Sequence, residues 1–485
     1  MALIGAVGLS ACQPHLEPGQ NRTNVLSLST PGETFESVSV DIAFEGSPSG
    51  QTSIVFPMQW GPEADLGGLI SEPPEILVDG EPAERDDSGK LQHDPNALIT
   101  IGYSVSQDYE GEPQWGAFRL PGMRPILQDD YAVLVGNTFL PEISDSTGAS
   151  PEFSLRLNET DRTSAAFSVA LEGDGMSRTA SLDDIRNSVF TFGDYRRLGA
   201  QAGDMNVRLA VRGDYALSDE KILEVTSGVL DRASAYFSDE AFDDYFVAIQ
   251  PLPALPNGSA VIGNGLNASF FILATENAAQ DELQHTIVHE ILHEWIPGRM
   301  GPSDEATDPS RMWLAEGFTE YFTQLILLET GMTDLDGFVE NMNRLAENYQ
   351  TSDVQSLTNE DLVSRVFESD QTMRLPYQRG ALLAFHWETL SKQAPGRSLQ
   401  NGIEALLADS DTALTNARIL RVLGEEAGPF VVEDYIAYIE GGSPIDIAAL
   451  SIPDCLSVIL GEDGINRFYL RPEADAMACR ETILD

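Results

Sequence analysis

The chain has 485 residues, of which 42% are hydrophobic and 8% aromatic, enough for packed cores in two to four domains and too much for a disordered chain. Asp and Glu number 77 against 28 Lys and Arg, a formal net charge of −49. Such a surface repels phosphate backbones and anionic lipid, so nucleic acid is not an expected partner, and the charge reads as a solvated surface suited to saline surroundings.

The chain opens "MALIGAVGLSACQP", an apolar run with small residues that stops abruptly at Cys12 and has no Lys or Arg before it. Leu9-Ser10-Ala11-Cys12 resembles the lipobox of bacterial lipoproteins. The resemblance implies a signal segment over residues 1–11, cleavage before Cys12, and lipidation of Cys12. The protein would then be extracytoplasmic, in a bacterial cell envelope on the periplasmic or outer-membrane face, and held to the membrane through this anchor only. Residues 12–32 read as a polar tether. No later apolar run reaches the roughly 18 residues of a transmembrane helix. With Cys12 lipidated, Cys455 and Cys479 are an even pair in an oxidising compartment and are expected to form a disulfide; the alternative is two unpaired, buried thiols.

Residues 33–200 read as an N-terminal β-sandwich-like domain. "SVSVDIAF", "TSIVF", "EILVDG", "LITIGYSV", "YAVLVGN" and "FSVALEG" are short alternating runs separated by Gly, Pro, Asn and Asp. From 201 to 395 the pattern becomes α+β. "MNVRLAVRG", "DYFVAIQPL" and "ASFFILAT" read as strands, and a helix capped by Ser218 follows the first of them. "PSRMWLAEGFTEYFTQLILLETG" reads as a helix ending at Gly331. Residues 396–485 read as a helical C-terminal region.

Three of the six histidines fall in "DELQHTIVHEILHEW", at His285, His289 and His293. Residues four apart on a helix lie about 40° apart around the axis and ~6 Å along it, so His289 and His293 can aim both rings at one point. Zinc–imidazole bonds of ~2.0–2.1 Å need that convergence, and Glu290 falls beside them in the order H-E-x-x-H, where a carboxylate acts as general base on a metal-activated water. His285 stands ~12 Å from His293 along the axis and reads as a neighbour of the site rather than a ligand. A hydrolytic zinc site usually has three protein ligands. "WLAEGFTEYF" offers Glu316 and Glu320, one turn apart, of which one would bind the metal and the other would hydrogen-bond a ligand's second nitrogen. Without a metal, the histidines would be the polar stripe of an amphipathic helix.

"HEILHEW" followed by "WLAEGFTEYF" resembles the gluzincin metallopeptidases, and in particular the glycyl-aminopeptidase family. The resemblance implies a thermolysin-like catalytic domain and one Zn2+ per chain held by His289, His293 and Glu316, with Glu290 as general base and Glu320 behind the ligands. "HEWIPGRMGP" matches that family through Trp295, Arg299 and Pro302, with Ile296 where the family has Asn. "PYQRGALLAF" resembles its Y-x-K-G stretch, which makes Tyr377 the donor to the oxyanion, with Arg379 in place of Lys. The resemblance runs from about residue 180 to 450 and includes "VVEDYIAYIEGGSPID"; the residues after it leave no room for the family's complete PDZ domain. Relatives hold the substrate's α-ammonium with a Glu on an edge strand, where this chain reads "GNGLNASFF". Gly263, Gly265 and Asn264 could present backbone groups to a substrate. Asn267 stands about where the Glu would be, and Glu276, Glu282 and Glu294 are the candidate substitutes.

The expected function is therefore zinc-dependent hydrolysis of a peptide or protein substrate by an extracytoplasmic, aminopeptidase-like or peptide-processing enzyme. Asn267 in place of the Glu implies weak aminopeptidase activity, with internal cleavage or another N-terminal specificity expected equally. The alternative is a non-catalytic lipoprotein that uses a peptidase fold as a binding or scaffolding module.

Overall fold

A computed structural model describes residues 24–484 except 31–33, 61–62, 71–72, 113–123, 146–147, 149, 159–165, 168–176, 240–242 and 303–307. The signal segment, Cys12, the first part of the tether and most of "FSVALEG" lie outside the described residues.

The N-terminal half is built of β-sheets, as its alternating runs predict. The largest has seven strands, and Val25–Ser29 lies inside it, parallel to Glu152–Asn158 and antiparallel to Ser37–Glu45. The reading of residues 12–32 as tether is corrected here: "VLSLS" alternates, and Leu26 and Leu28 are fully buried in the sheet's core. A four-stranded sheet carries Tyr131–Val135 beside Val189–Gly193, and every residue of both strands is buried. One face, with Ala132, Leu134, Phe190 and Phe192, packs into the N-terminal core. The other, with Tyr131, Val133, Val135 and Val189, packs against Phe246, Ala248, Phe271 and Leu273 of the next sheet. A strand buried on both faces is apolar throughout rather than alternating.

That next sheet has five strands in the order Arg196–Ala202, Met205–Val211, Asp244–Leu252, Ser269–Thr275, Val261–Leu266. Arg196–Ala202 thus belongs here and not to the N-terminal domain assigned to residues 33–200; its seven-residue antiparallel ladder with Met205–Val211 decides this. The next three strands are parallel, so each connection must cross over. The first does so through the helix Asp219–Tyr236, whose N-cap Ser218 accepts the Lys221 N–H and whose Ile222, Val225, Val229 and Leu230 are buried. Val261–Leu266 pairs antiparallel with Ser269–Thr275 and is the last strand of its sheet.

Below the sheet one apolar core continues from Val207 through the central helices to Phe468 and Ile483, so residues 201–395 and 396–485 share a single interior. The C-terminal region is helical except for a hairpin, Leu456–Leu460 with Asn466–Leu470, which the sequence reading placed in helix. Cys455, at the start of that hairpin, is disulfide-bonded to Cys479 on the final helix Ala476–Leu484. No described helix is long and apolar enough to cross a membrane.

Candidate active site

The helix Gln280–Leu292 carries the motif and is fixed from behind by Leu283, Ile287, Val288, Ile291 and Leu292, all fully buried. Its first turn is capped by Glu282, which accepts the Ala279 N–H and the Ser259 hydroxyl. His293 ends the helix in helical geometry and so keeps its place one turn from His289; the two rings are 4.7 Å apart and nearly perpendicular. The Glu316 helix supplies the third group. It is not the single helix read from the sequence but two, Met312–Ala315 and Gly317–Glu329, which meet at Glu316, whose backbone stays helical and whose carboxylate faces both histidines. One oxygen, Oε2, lies 3.3 Å from Nε2 of His289 and 3.3 Å from Nε2 of His293. Ligand atoms ~2.1 Å from a tetrahedral zinc stand about 3.4 Å apart, so the donor set fits that ion in kind and in spacing.

The second nitrogen of His293 is hydrogen-bonded, and that of His289 faces a carboxylate. His293 Nδ1 donates to the Ile296 carbonyl at 3.0 Å, and Thr319 Oγ1 donates to the same oxygen. Ile296 itself is fully buried in the core, so at this position a main-chain carbonyl rather than a polar side chain orients the ring. His289 Nδ1 faces Glu320 Oε2 at 3.4 Å; the other oxygen of Glu320 meets His285 Nε2 at 3.0 Å and accepts from Gln324 at 2.9 Å. Glu320 is therefore placed behind His289, and His285 against Glu320 rather than against the other histidines' Nε2 atoms. Burial pulls the His289 imidazolium down, but Glu316 and Glu320 outweigh it and hold this group up to about 10. Burial opposes ionisation of Glu316 as well, yet His293 and His289 hold its carboxyl well below the usual range.

Glu290 is buried, and burial raises its carboxyl above the ordinary value while His293 and His289 oppose the rise. The edge strand Val261–Leu266 crosses directly over it. A side chain at Gly263 would overlap the Glu290 carboxylate, and one at Gly265 would lie 3.5 Å from Glu290 Oε2 and 3.6 Å from His293 Cβ. Asn267 departs from its expected place among substrate-binding residues. The strand ends at Leu266, Ala268 turns with φ of 48°, and Asn267 Nδ2 donates to Asp184 Oδ1 of the N-terminal half at 3.0 Å. Spacing alone could not show where the strand stops. The candidate substitutes are each engaged elsewhere: Glu276 accepts the Asp214 N–H, Glu282 caps its helix, and Glu294 accepts the Ser269 N–H.

Tyr377 reaches the site because two helices touch at glycines. A Cβ on Gly380 would come within 2.7 Å of the Gly317 Cα, so the helix Asp370–Ser391 approaches the Glu316 helix at backbone distance. One turn before Gly380, the half-buried Tyr377 ring stacks on His289 with centroids 5.7 Å apart and a 17° tilt, and its phenol reaches Glu316. Burial, then the charges of Glu316 and Glu290, push that phenol far above its usual value, so it stays a proton donor. Arg379 turns away: it is 2% exposed and donates to the carbonyls of Gln355 and Leu357. The glycine contact was not read from the sequence, although "EGF" and "QRG" held its signal.

The sequence pattern of the M61 glycyl aminopeptidase family matches residues 282–382, a span that includes His289, Glu290, His293, Glu316 and Tyr377. No curated protein matches the chain in sequence. An aminopeptidase N family protein from Idiomarina loihiensis has a similar fold, with a TM-score of 0.72 at 12% identity over 91% of this chain and 81% of that one. An M1 zinc metallopeptidase from Deinococcus radiodurans is similar at a TM-score of 0.54 and 17% identity, over 87% of this chain and 94% of that one. A variant of the Deinococcus enzyme bound to a Tyr-Ser-Ala substrate matches at 0.54 and 16%, over the same shares of the two chains. The resemblance to gluzincin peptidases is thus borne out in a family match and in the α+β multidomain fold.

Proposed function

We propose that this metallopeptidase hydrolyses peptide bonds with one zinc held by His289, His293 and Glu316. The observation that carries the reading is the shared 3.3 Å approach of both Nε2 atoms to one Glu316 oxygen, with the Glu290 carboxylate beside it. When bound, zinc makes its water acidic and polarises the scissile carbonyl. Glu290, raised by burial, takes the proton from the attacking water and delivers it to the leaving amine. Tyr377, held protonated, donates its O–H to the oxyanion. Glu320 and the Ile296 carbonyl keep the histidine tautomers with Nε2 toward the metal.

The substrate is an extended peptide laid along Val261–Leu266, whose outer edge pairs with no other strand among the described residues. The tripeptide bound to the Deinococcus relative supports this class. Because Glu276, Glu282 and Glu294 are engaged elsewhere and Asn267 faces Asp184, cleavage does not require a free amino terminus. We further infer an extracytoplasmic enzyme, anchored by a lipid on Cys12; the lipobox-like start and the Cys455–Cys479 disulfide support this.

The test is digestion of one peptide, free and N-acetylated, by the zinc-loaded wild type and by Glu290→Gln, read by mass spectrometry. The wild type should cut both forms, and Glu290→Gln should bind zinc and cut neither. Equal turnover by Glu290→Gln would sink the mechanism. Loss of cleavage on acetylation would show an ammonium anchor elsewhere.

A further inference from the structure

One carboxylate beside the motif takes no part in the chemistry derived above. Glu294 follows His293 directly, is 6% exposed, and turns away from the metal ligands into the sheet. Its Oε1 accepts the Ser269 N–H at 3.2 Å, the Ala268 N–H also faces it, and the Tyr245 phenol lies against it. Ala268 and Ser269 form the end of the turn that joins the edge strand Val261–Leu266 to its neighbour Ser269–Thr275. On the other side of the same turn, Asn267 donates to Asp184. The turn is therefore held between the motif helix and the N-terminal half, and its inner hold comes from the residue next to a metal ligand.

The strand Val261–Leu266 is held along its length by its neighbour Ser269–Thr275, on one face by the apolar contacts of Ile262 and Leu266, and at its end by the turn, which sets its height over Glu290. Gly263 and Gly265 sit three and one residues before the end of that strand, in contact distance of Glu290. A shift of the turn by an ångström would carry the glycines, and any peptide paired with them, by a similar amount relative to Glu290, and misplacements of that size are costly in catalysis.

We propose that Glu294 is a positioning residue that sets the height of the substrate strand over Glu290 by gripping the Ala268–Ser269 turn. This rests on the peptide-strand reading above. Glutamine keeps an acceptor for both backbone N–H groups and an amide for the Tyr245 phenol, so Glu294→Gln should recover most of what Glu294→Ala loses. Aspartate keeps the carboxyl group but is one methylene shorter, so Glu294→Asp should fall between them.

The three variants are compared with wild type in zinc content, in hydrogen exchange of residues 261–269, and in kinetics on a hexapeptide and on a single-residue amide. Glu294→Ala should keep its zinc, exchange at 261–269 about tenfold faster, and raise KM for the hexapeptide about tenfold with kcat within about threefold. The single-residue amide, which cannot pair along the strand, should be much less affected. If Glu294→Ala does not fold, the same readouts on Glu294→Asp decide the matter. Unchanged exchange at 261–269 in a folded Ala or Asp variant would overturn the proposal, as would a loss confined to kcat. If the wild type cleaves no peptide, the proposed function fails, while the exchange measurement still decides the grip.

Discussion

Gly263 lies against Glu290 with no room for a side chain between them. Glu290 and the strand Val261–Leu266 are thus in direct contact, and the size of residue 263 sets where the carboxylate proposed as general base stands. Gly263→Ala should displace the Glu290 carboxylate, keep zinc, and lower kcat/KM by about 10²-fold. Steady-state kinetics with a metal assay checks this; full activity would mean that the strand yields instead.

The ligand set makes a separate prediction. Purified protein should carry one zinc per chain, and His289→Ala or Glu316→Ala should lose most of it. His285→Ala should keep it, because His285 meets Glu320 rather than the shared Glu316 oxygen. Elemental analysis after dialysis reads the result, and full zinc in Glu316→Ala would refute the assignment.

Zinc uptake should release protons. Glu316 and Glu320 hold His289 up to about 10, so at pH 7 the ring is charged, whereas a ligand must be neutral. Binding at pH 7 should therefore expel about one proton or more, and affinity should fall roughly tenfold or more per unit as pH drops below 7. Calorimetry in buffers of different ionisation enthalpy measures the count. Before zinc is added, the same raised group has the opposite effect on folding. Its stabilising contribution is complete below the ordinary histidine value of 6.5 and is lost as pH rises towards 10.

Much of this site is legible in the sequence because it is local. His289, Glu290 and His293 depend only on helical spacing, and Glu316 lies on the next helical run. Tyr377 is distant and was found through the family's motif, not through periodicity. What escaped depends on pairing over long distances or on where an element stops. Val25–Ser29 looks like part of a polar tether until Glu152–Asn158 pairs with it more than a hundred residues later. The Leu456–Leu470 hairpin is two five-residue runs within a helical region. Asn267 lies one residue past the end of its strand, where its amide meets Asp184.

Tyr377→Phe should lower kcat by roughly 10²–10³, the usual effect of removing one oxyanion donor, and leave zinc content unchanged. An unchanged kcat would remove the phenol from the mechanism.

The Cys455–Cys479 bond closes a loop of 24 residues in sequence separation, for which restriction of the unfolded chain predicts about 3.5 kcal/mol of stabilisation. It also anchors the final helix, whose Arg480 donates to the carbonyls of Leu328 and Glu329 at the end of the Glu316 helix. A double Cys455→Ala, Cys479→Ala variant should unfold at lower denaturant concentration, with a slope equal or steeper because the freed unfolded chain exposes more surface. An unchanged midpoint would show that the helix docks without its link.

The four-stranded sheet buried on both faces has a consequence for how the chain can be divided. Tyr131, Val133, Val135 and Val189 lean on Phe246, Phe271 and Leu273, and the outer residues Ile262 and Leu266 of the substrate strand join the same cluster. The N-terminal β half is packed flat on the sheet that carries the strand over Glu290, and is not an appendage beside it. A chain cut down to the residues after the N-terminal half would bare a broad greasy face on that sheet. The two halves are one machine at the level of folding, and any recombination of this enzyme with a relative has to carry the two together.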